Sequence, residues 1–195
     1  MRRDTRITSS EFSSSFLSCE KDMEEILRKL FIASEPYSSI LKRLLVINTK
    51  DCLDNEDSIV IKQKIKEMSL AKLRQEGYIR LEPKLIFKEN EEIKAYIIIY
   101  CDNYYANATN PYFRDCTINF NIICHTDYWD LGDYRIRPLK IAGYIDGVLN
   151  KAKLSGIGRL EFVSCDHIVL DETLSGYSLT YRAIHGNDDN LDVKE

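Results

Sequence analysis

Two short runs of the sequence combine residue types that can carry out chemistry. Cys124 and His125 stand beside Asp127, and residues 165–167 read Cys-Asp-His. A cysteine nucleophile needs a base to form its thiolate, and that base needs a carboxylate to orient it. Neighbouring side chains of a strand point to opposite faces, however, so Cys124 and His125 cannot face each other. We therefore expect no catalytic site, with Cys124 in the core and His125 on the solvent face of its strand.

A metal or cofactor site is not indicated either. His125, Asp127, His167 and His185 are the residues that would have to converge on zinc, and they lack the short ligand spacing of a structural site. The sequence contains no GxxxxGK[ST] or GxGxxG motif that would cradle a phosphate. We predict a protein that is not an enzyme and uses no metal or cofactor. The alternative is a small cytosolic enzyme or ligand-binding domain that uses the sheet face around His125 and Asp127.

These residues are positioned by the clearest strand and helix of the chain. Apolar and polar side chains alternate over residues 115–125, and only Ile123 breaks the polar row. This period of two predicts a strand with one buried and one wet face, which is typical of antiparallel sheets. A helical period follows, with Pro138 suited to the first turn. The helical stripe consists of Ile141, Ala142, Ile145, Val148, Leu149 and Ala152. We expect this stripe to pack on the apolar face of the strand.

The remaining elements divide at Gly77. Before Gly77, the spacing of the apolar residues predicts three helices. The third is capped by Asp57 and continues to Gly77. The following residues predict strands at 81–88, 93–102, 159–169 and 177–185, with Leu160, Phe162 and Val163 buried in the fourth strand of the chain. This order predicts an α+β fold, a mostly antiparallel sheet of about five strands backed by helices, with further helices at the N-terminus.

The bulk composition fits one globular domain. With 195 residues, 44% of them hydrophobic and 30% charged, we expect a single domain over residues 19–185, a flexible N-terminal arm at 1–18 and an acidic tail at 186–195. The net charge of −4 opposes a broad nucleic-acid-binding face. The N-terminal arginines precede no apolar segment, so no secretory signal is predicted. The six cysteines form no CxxC pair, which favours free thiols in a reducing compartment.

Aromatic side chains gather in two predicted loops. The first loop contains Tyr104, Tyr105, Pro111, Tyr112 and Phe113, and the second contains Tyr128 and Trp129. Tyrosine and tryptophan offer a large contact area for little lost entropy, so we predict that these loops are interfaces. The alternative is that they fold back and cap the core of their own sheet. Single-stranded nucleic acid also stacks on aromatic rings, but it needs basic residues between them, and this second loop carries acidic ones.

Two glycines lie one turn apart on the outer side of the predicted 141–152 helix. Each of Gly143 and Gly147 costs about 1 kcal/mol relative to alanine. Either the domain tolerates this loss on a solvent face, or another backbone from the same chain or a neighbouring subunit approaches closely.

A different alternative concerns the third helix, where a basic stripe would mark a nucleic-acid-binding module. Its residues are Lys62, Lys64, Lys66, Lys72 and Arg74, and Glu67 and Glu76 dilute it.

Three segments together suggest a known family. They are a predicted strand end at 122–125 (Ile-Ile-Cys-His), a predicted helix at 135–146 (Arg-Ile-Arg-Pro-Leu-Lys-Ile-Ala-Gly-Tyr-Ile-Asp) and a predicted terminal strand at 176–181 (Gly-Tyr-Ser-Leu-Thr-Tyr). This arrangement, over residues 78–185, resembles the tail-terminator and head–tail connector proteins of tailed bacteriophages. The resemblance leaves open whether the chain is a terminator or another neck component.

The resemblance implies a structural virion protein that is assembled in the host cytoplasm. It implies a homo-oligomeric ring, usually hexameric, that caps the tail tube and joins it to the head. The implied partners are other copies of the chain, the tail tube protein and a head-completion or connector protein. DNA would pass through the bore without specific binding, which agrees with the negative charge balance, and no membrane is involved.

Overall fold

The computed structural model describes residues 19–54, 58–81, 95–109, 114–154 and 158–185. The helices are α1 (Cys19–Phe31), α2 (Tyr37–Val46), α3 (Ile59–Glu67), α4 (Leu70–Gln75) and α5 (Arg137–Leu149), with a 3₁₀ turn at Thr126–Tyr128. The strands are β1 (Ile79–Arg80), β2 (Tyr96–Ala106), β3 (Arg114–His125), β4 (Lys153–Leu154), β5 (Gly158–Arg159), β6 (Glu161–Val169) and β7 (Leu174–His185). Several predicted features lie outside the described residues. They are the arm at 1–18, the tail at 186–195, the body of the 81–88 strand, Asp57, Pro111, Tyr112 and Phe113.

Five of these strands form one sheet in the order β1-β2-β3-β7-β6. The β2–β3, β3–β7 and β7–β6 pairs are antiparallel, and only the two-residue β1 pairs in parallel, with β2. β4 and β5 form a separate small hairpin. The predicted α+β class, with a mostly antiparallel five-stranded sheet and N-terminal helices, is confirmed.

The strand and helix that the sequence indicates most clearly form the centre of the core. The apolar row of β3 is at most 4% exposed from Cys116 to Cys124. α5 packs its stripe against this side of β3 and β7, with Pro138 in its first turn. The Tyr181 hydroxyl of β7 donates a 2.9 Å hydrogen bond to Asp146 Oδ1 of α5. The expected packing of this helix on the sheet is confirmed.

The prediction of one continuous third helix is wrong, because the helix is interrupted at Met68 and Ser69. α3 ends at Glu67, and α4 begins after Ser69, whose side chain accepts a hydrogen bond from the Lys72 N–H. The cap of α3 is Ser58, which accepts from the Ile61 N–H, in place of the predicted Asp57. Serine oxygens at both positions satisfy amides that the start of a helix leaves without partners.

Two strand predictions also need correction. β2 continues to Ala106 through a register shift between Asp102 and Tyr105, so the first aromatic residues lie on a strand and not in a loop. Leu160 is buried, but Phe162 and Val163 are 45% and 55% exposed, contrary to the prediction. Among the described strands, β6 is the outermost one of the sheet and pairs only with β7, which explains this exposure.

The predicted wet face of the sheet is polar over only part of its length. Ser178 and Thr180 donate hydrogen bonds to Asn121 and Asn119 across β7 and β3. At one end of the same face, Ile98 and Ile123 are fully buried beside Tyr96 in a second apolar cluster. Ile123, the residue that interrupts the polar row, is therefore a core residue of that cluster. No described helix is both long enough and apolar enough to cross a membrane.

Candidate assembly interface

The residues considered for catalysis do not form a nucleophilic site. Cys124 is fully buried, and burial raises the pKa of its thiol to about 12. His125 points to the other face, where its Nδ1 accepts a 3.2 Å hydrogen bond from the Asp127 N–H. Partial burial and the Asp166 carboxylate raise the pKa of Cys165, whereas a nucleophilic thiol needs a lowered one. Within the described ranges, no group of three or more His, Cys, Asp or Glu residues could hold a metal ion.

The second aromatic loop folds back on its own sheet, as the alternative interpretation expected. The Trp129 indole donates a 3.3 Å hydrogen bond to the Cys124 carbonyl, and its ring lies 6.0 Å from His167 and 6.2 Å from Tyr177. The Tyr128 ring lies 6.0 Å from His125. Both residues are half-buried, so much of their surface stabilises this corner of the fold. An interface role for them remains a prediction.

The other predicted interface residues differ in exposure. Tyr104 is half-buried beside the core, while Tyr105 is 64% exposed near the end of β2. Gly143 and Gly147 are exposed on α5, and a Cβ at either position would meet no atom within 4 Å. No described backbone of the same chain therefore approaches these glycines. Approach by a neighbouring subunit stays a prediction.

Sequence reasoning missed Arg137, which anchors the loop before α5. Its guanidinium is fully buried and donates hydrogen bonds of 2.7 to 2.9 Å to four backbone carbonyls. The acceptors are the carbonyls of Tyr128, Leu44, Ile47 and Thr49. Two of them, Leu44 and the C-cap residue Ile47, lie at the C-terminal end of α2, where the helix dipole favours a positive charge. The sequence offers one signal of the role of Arg137, which is its position directly before Pro138 at the start of the helix.

Arg137 supports a tight turn at residues 130–136, called here the Tyr134 turn. Asp130 Oδ1 accepts from the Gly132 N–H at 2.8 Å, and the Gly132 carbonyl accepts from the Arg135 N–H at 2.9 Å. The Arg135 guanidinium donates hydrogen bonds of 2.8 and 2.9 Å to the two carboxylate oxygens of Asp54. This bidentate pair joins the turn to the loop after α2.

The braced turn presents one aromatic side chain to solvent. Asp133 and Tyr134 have positive φ angles of 48° and 60°, and Tyr134 is fully exposed. This conformation costs a residue with a side chain about 1 kcal/mol. Such backbone strain persists where the surrounding structure fixes it, and it is concentrated at functional positions. The Tyr134 turn is therefore a preformed protrusion.

A groove of about 570 Å³ lies between α2 and α3, and we call it the α2–α3 groove. Apolar atoms of Ile40, Ile61 and Ile65 line it, together with the basic residues Lys42, Arg43, Lys62 and Lys66. Lys62 and Lys66 are one turn apart and share a helix face, whereas Lys64 points elsewhere. The basic residues of the predicted stripe are thus divided between faces, and Lys72 pairs with Glu76 at 3.8 Å.

A second cavity, of about 1140 Å³, is lined by residues of α1, α4 and β2, including Met23, Leu70 and Tyr104. His125 and Asp127 line neither cavity. The enzyme or ligand-binding alternative, which needs a pocket around these two residues, gains no support from either of these cavities.

The edge strand β6 is the other prominent surface. It pairs with β7 on one side, and it exposes 45% of Phe162, 55% of Val163 and 65% of Val169. A strand edge offers free N–H and C=O groups to another chain. Exposed apolar side chains beside such an edge are typical of protein–protein contacts.

The fold and these surfaces define an α+β protein whose prominent features are a sheet edge, a rigid aromatic turn and a basic groove. The YomW family model matches residues 38–183, and the chain belongs to the YomW family. The family name is phage-derived, from an SPbeta-type prophage region of Bacillus, and the chain is a phage-associated protein. The phage context that the resemblance implies is thereby confirmed. A search of curated proteins found no match to the chain.

Proposed function

We propose that this chain is a structural virion protein of a tailed phage, a tail terminator or neck connector that forms a ring. In this role it caps the tail tube and joins it to the head, and it acts by shape without catalysis. Its partners are copies of itself, the tail tube protein and a head-completion or connector protein. The observation that carries the proposal is the exposed nine-residue edge strand β6, in a protein of a phage-derived family.

The β6 edge suits contact between subunits for two reasons. Monomeric proteins shorten their edge strands or protect them with charges and prolines, because a free edge pairs with other chains. β6 has one irregularity, between Phe162 and Ser164, and then runs in regular register with β7 to Val169. The exposed Val163 and Val169 would add apolar contact to backbone pairing with a neighbouring copy.

The negative balance of the chain supports a bore through which DNA slides. The net charge is −4, and like charge repels phosphate. We expect duplex DNA to bind the assembled ring only weakly, with no preference for sequence. The terminator and the neck connector differ in which neighbour they meet, so binding to purified tail tube protein distinguishes them.

Native mass spectrometry over a range of concentrations, followed by electron microscopy, tests the proposal. The expected result is one discrete oligomer, seen as a ring of fixed copy number. Val163→Lys should weaken its assembly, because the charge must be desolvated at the edge. The matched control is Ile32→Lys, since Ile32 is 54% exposed and lies outside the sheet. A chain that stays monomeric at every concentration, with and without tail tube protein, would refute the proposed function.

A further inference from the structure

We propose that the Tyr134 turn of one copy inserts into the α2–α3 groove of the next copy, so that the subunits associate head to tail. This inference rests on the proposed function, because it specifies how neighbouring copies meet in a ring. It assigns a role to two features that the β6 edge leaves unused, a protruding aromatic residue and an open groove.

The protrusion has the properties of an interface anchor. Tyr134 is fully exposed, and the two hydrogen bonds between Arg135 and Asp54 hold its turn rigid before any contact forms. A preformed turn loses little conformational freedom on binding, and tyrosine is enriched among the residues that dominate interface energies. The adjacent Asp133 carboxylate is 92% exposed and lies 3.5 Å from the Arg135 guanidinium.

The groove complements this protrusion in shape and in charge. Ile40, Ile61 and Ile65 supply an apolar lining for an aromatic ring, and Lys42, Lys62 and Lys66 supply positive charge for the carboxylates beside it. Its volume of about 570 Å³ exceeds that of a tyrosine side chain. The contact would therefore bury an aromatic anchor in the centre and place charge pairs around it, as protein interfaces commonly do.

The two surfaces are separate patches of one copy. The groove follows α2 from Pro36 to Arg43, whereas Asp54, in the loop after α2, holds the Tyr134 turn through Arg135. The residues that line the groove include none of the Tyr134 turn. One copy therefore presents a protrusion and a groove that do not overlap. Such a contact is heterologous, and it gives a ring when its rotation closes.

A nucleic acid is the competing occupant of a lysine-rich groove. The apolar lining of the groove offers nothing to a phosphate, and it leaves an aromatic side chain as the better fit. Salt weakens both kinds of contact, so the salt dependence alone does not separate them. The variants below separate them.

Two variants test the contact, and each leaves one surface intact. Tyr134→Gly removes the ring at a position whose positive φ glycine adopts readily, so the turn keeps its shape. Lys62→Glu combined with Lys66→Glu reverses the charge of the groove. We expect each change to weaken self-association by about 30-fold or more. Lys64→Glu is the control, because it reverses one charge on another face of α3, and it should leave association unaltered.

Mixing the two variants provides the decisive readout in sedimentation or native mass spectrometry. Each variant alone should be monomeric at concentrations where the wild type assembles. The equimolar mixture should form a dimer and nothing larger, because only one protrusion and one groove remain functional. Circular dichroism and urea unfolding of each variant establish that it is folded.

Several outcomes would overturn the inference. If the wild type assembles and both variants assemble equally well, the contact is wrong while the proposed ring remains. If the groove variant assembles normally but loses binding to duplex DNA, the groove belongs to nucleic acid. If the wild type itself never assembles, the proposed function fails and the inference fails with it.

Discussion

The guanidinium of Arg137 donates a 2.7 Å hydrogen bond to the backbone carbonyl of Leu44, and this bond joins the first turn of α5 to the last turn of α2. The two residues are far apart in the sequence, so the contact fixes tertiary structure. A buried charge is stable only when its donors are satisfied. Here the carbonyls at a helix end satisfy them, and the charge in turn provides donors for carbonyls that the helix leaves free.

Replacing Arg137 should therefore destabilise the fold strongly. Arg137→Leu leaves buried carbonyl groups without these hydrogen bonds, and each unsatisfied group costs about 1–3 kcal/mol. We expect the free energy of unfolding to fall by about 4 kcal/mol or more, measured by urea denaturation. Arg182→Leu is the control, because Arg182 is an exposed partner of Asp115 and should cost less than about 1 kcal/mol. Equal losses in the two variants would contradict this view of Arg137.

Gly176 should not tolerate any side chain. A Cβ at this position of β7 would lie 1.7 Å from the carbonyl oxygen of Ile122 in β3, and backbone atoms cannot move aside easily. We expect Gly176→Ala to lose about 3 kcal/mol of unfolding free energy or to yield no soluble folded protein. Thermal unfolding followed by circular dichroism provides the measurement. A melting temperature equal to that of the wild type would contradict this prediction, because it would show that β3 and β7 move apart readily at this position.

The glycines of α5 should respond in the opposite direction. Alanine at Gly143 or Gly147 meets no atom within 4 Å and improves helix propensity, so each change should stabilise the monomer by about 0.5–1 kcal/mol. The same variants test the predicted approach of a neighbouring subunit. A stabilised monomer that no longer assembles would support that approach, and unchanged assembly would leave the glycines as a tolerated loss on a solvent face.

Among the described cysteines, Cys165 should react first with a thiol reagent. It is exposed on β6, whereas Cys52, Cys116 and Cys124 are buried. Only the thiolate reacts, and a raised pKa keeps the thiolate fraction of Cys165 low at neutral pH. Its labelling rate should therefore rise steeply with pH into the alkaline range. Mass spectrometry of the labelled protein identifies the site, and Cys165→Ser should remove this reaction; labelling of Cys124 without unfolding would count against its burial.

The Tyr134 turn should loosen in acid. The hydrogen bond from Arg135 holds the pKa of Asp54 below its ordinary value, and the hydrogen bond from Lys50 does the same for Asp130. Carboxyls with lowered pKa values stabilise the folded state above the unfolded pKa, and this contribution is lost as pH falls through the folded pKa. We expect the turn to be fully braced at neutral pH and to loosen below about pH 4.

The only tryptophan, Trp129, adjoins Asp130 and reports on this change. Its fluorescence should shift in acid before the far-ultraviolet circular dichroism changes. In a variant carrying Asp54→Asn and Asp130→Asn, this early shift should be absent. A shift of the same size in the double variant would show that other groups cause it.

The elements predicted correctly are those whose own residues determine their environment. β3 and α5 each bury one face, so the periods of two and 3.6 residues are visible in the sequence. Phe162 and Val163 of β6 were predicted to be buried because they are apolar. The position of β6 at the edge depends on the strand order of the whole sheet, which Phe162 and Val163 do not encode.

The candidate surfaces were less predictable for the same physical reason. Arg137 binds Leu44 at the end of α2, and Arg135 binds Asp54 in the loop after it. Both partners are distant in sequence, so neither anchor was recognised. Tyr134 was overlooked because its positive φ follows from the hydrogen bonds of the turn and not from its residue type. Trp129 was predicted to be an interface residue. Its ring contacts His167 and Tyr177 of its own sheet, and its interface role stays a prediction.

The groove residues follow α2 from its N-cap Pro36 to Arg43, and the Leu44 and Ile47 carbonyls that hold Arg137 come directly after them. Each residue of a helix adds about 1.5 Å and about 100° of rotation. An alanine inserted after Arg43 would therefore turn the groove relative to the Tyr134 turn. The angle between successive copies would change, and a closed circle would become an open spiral.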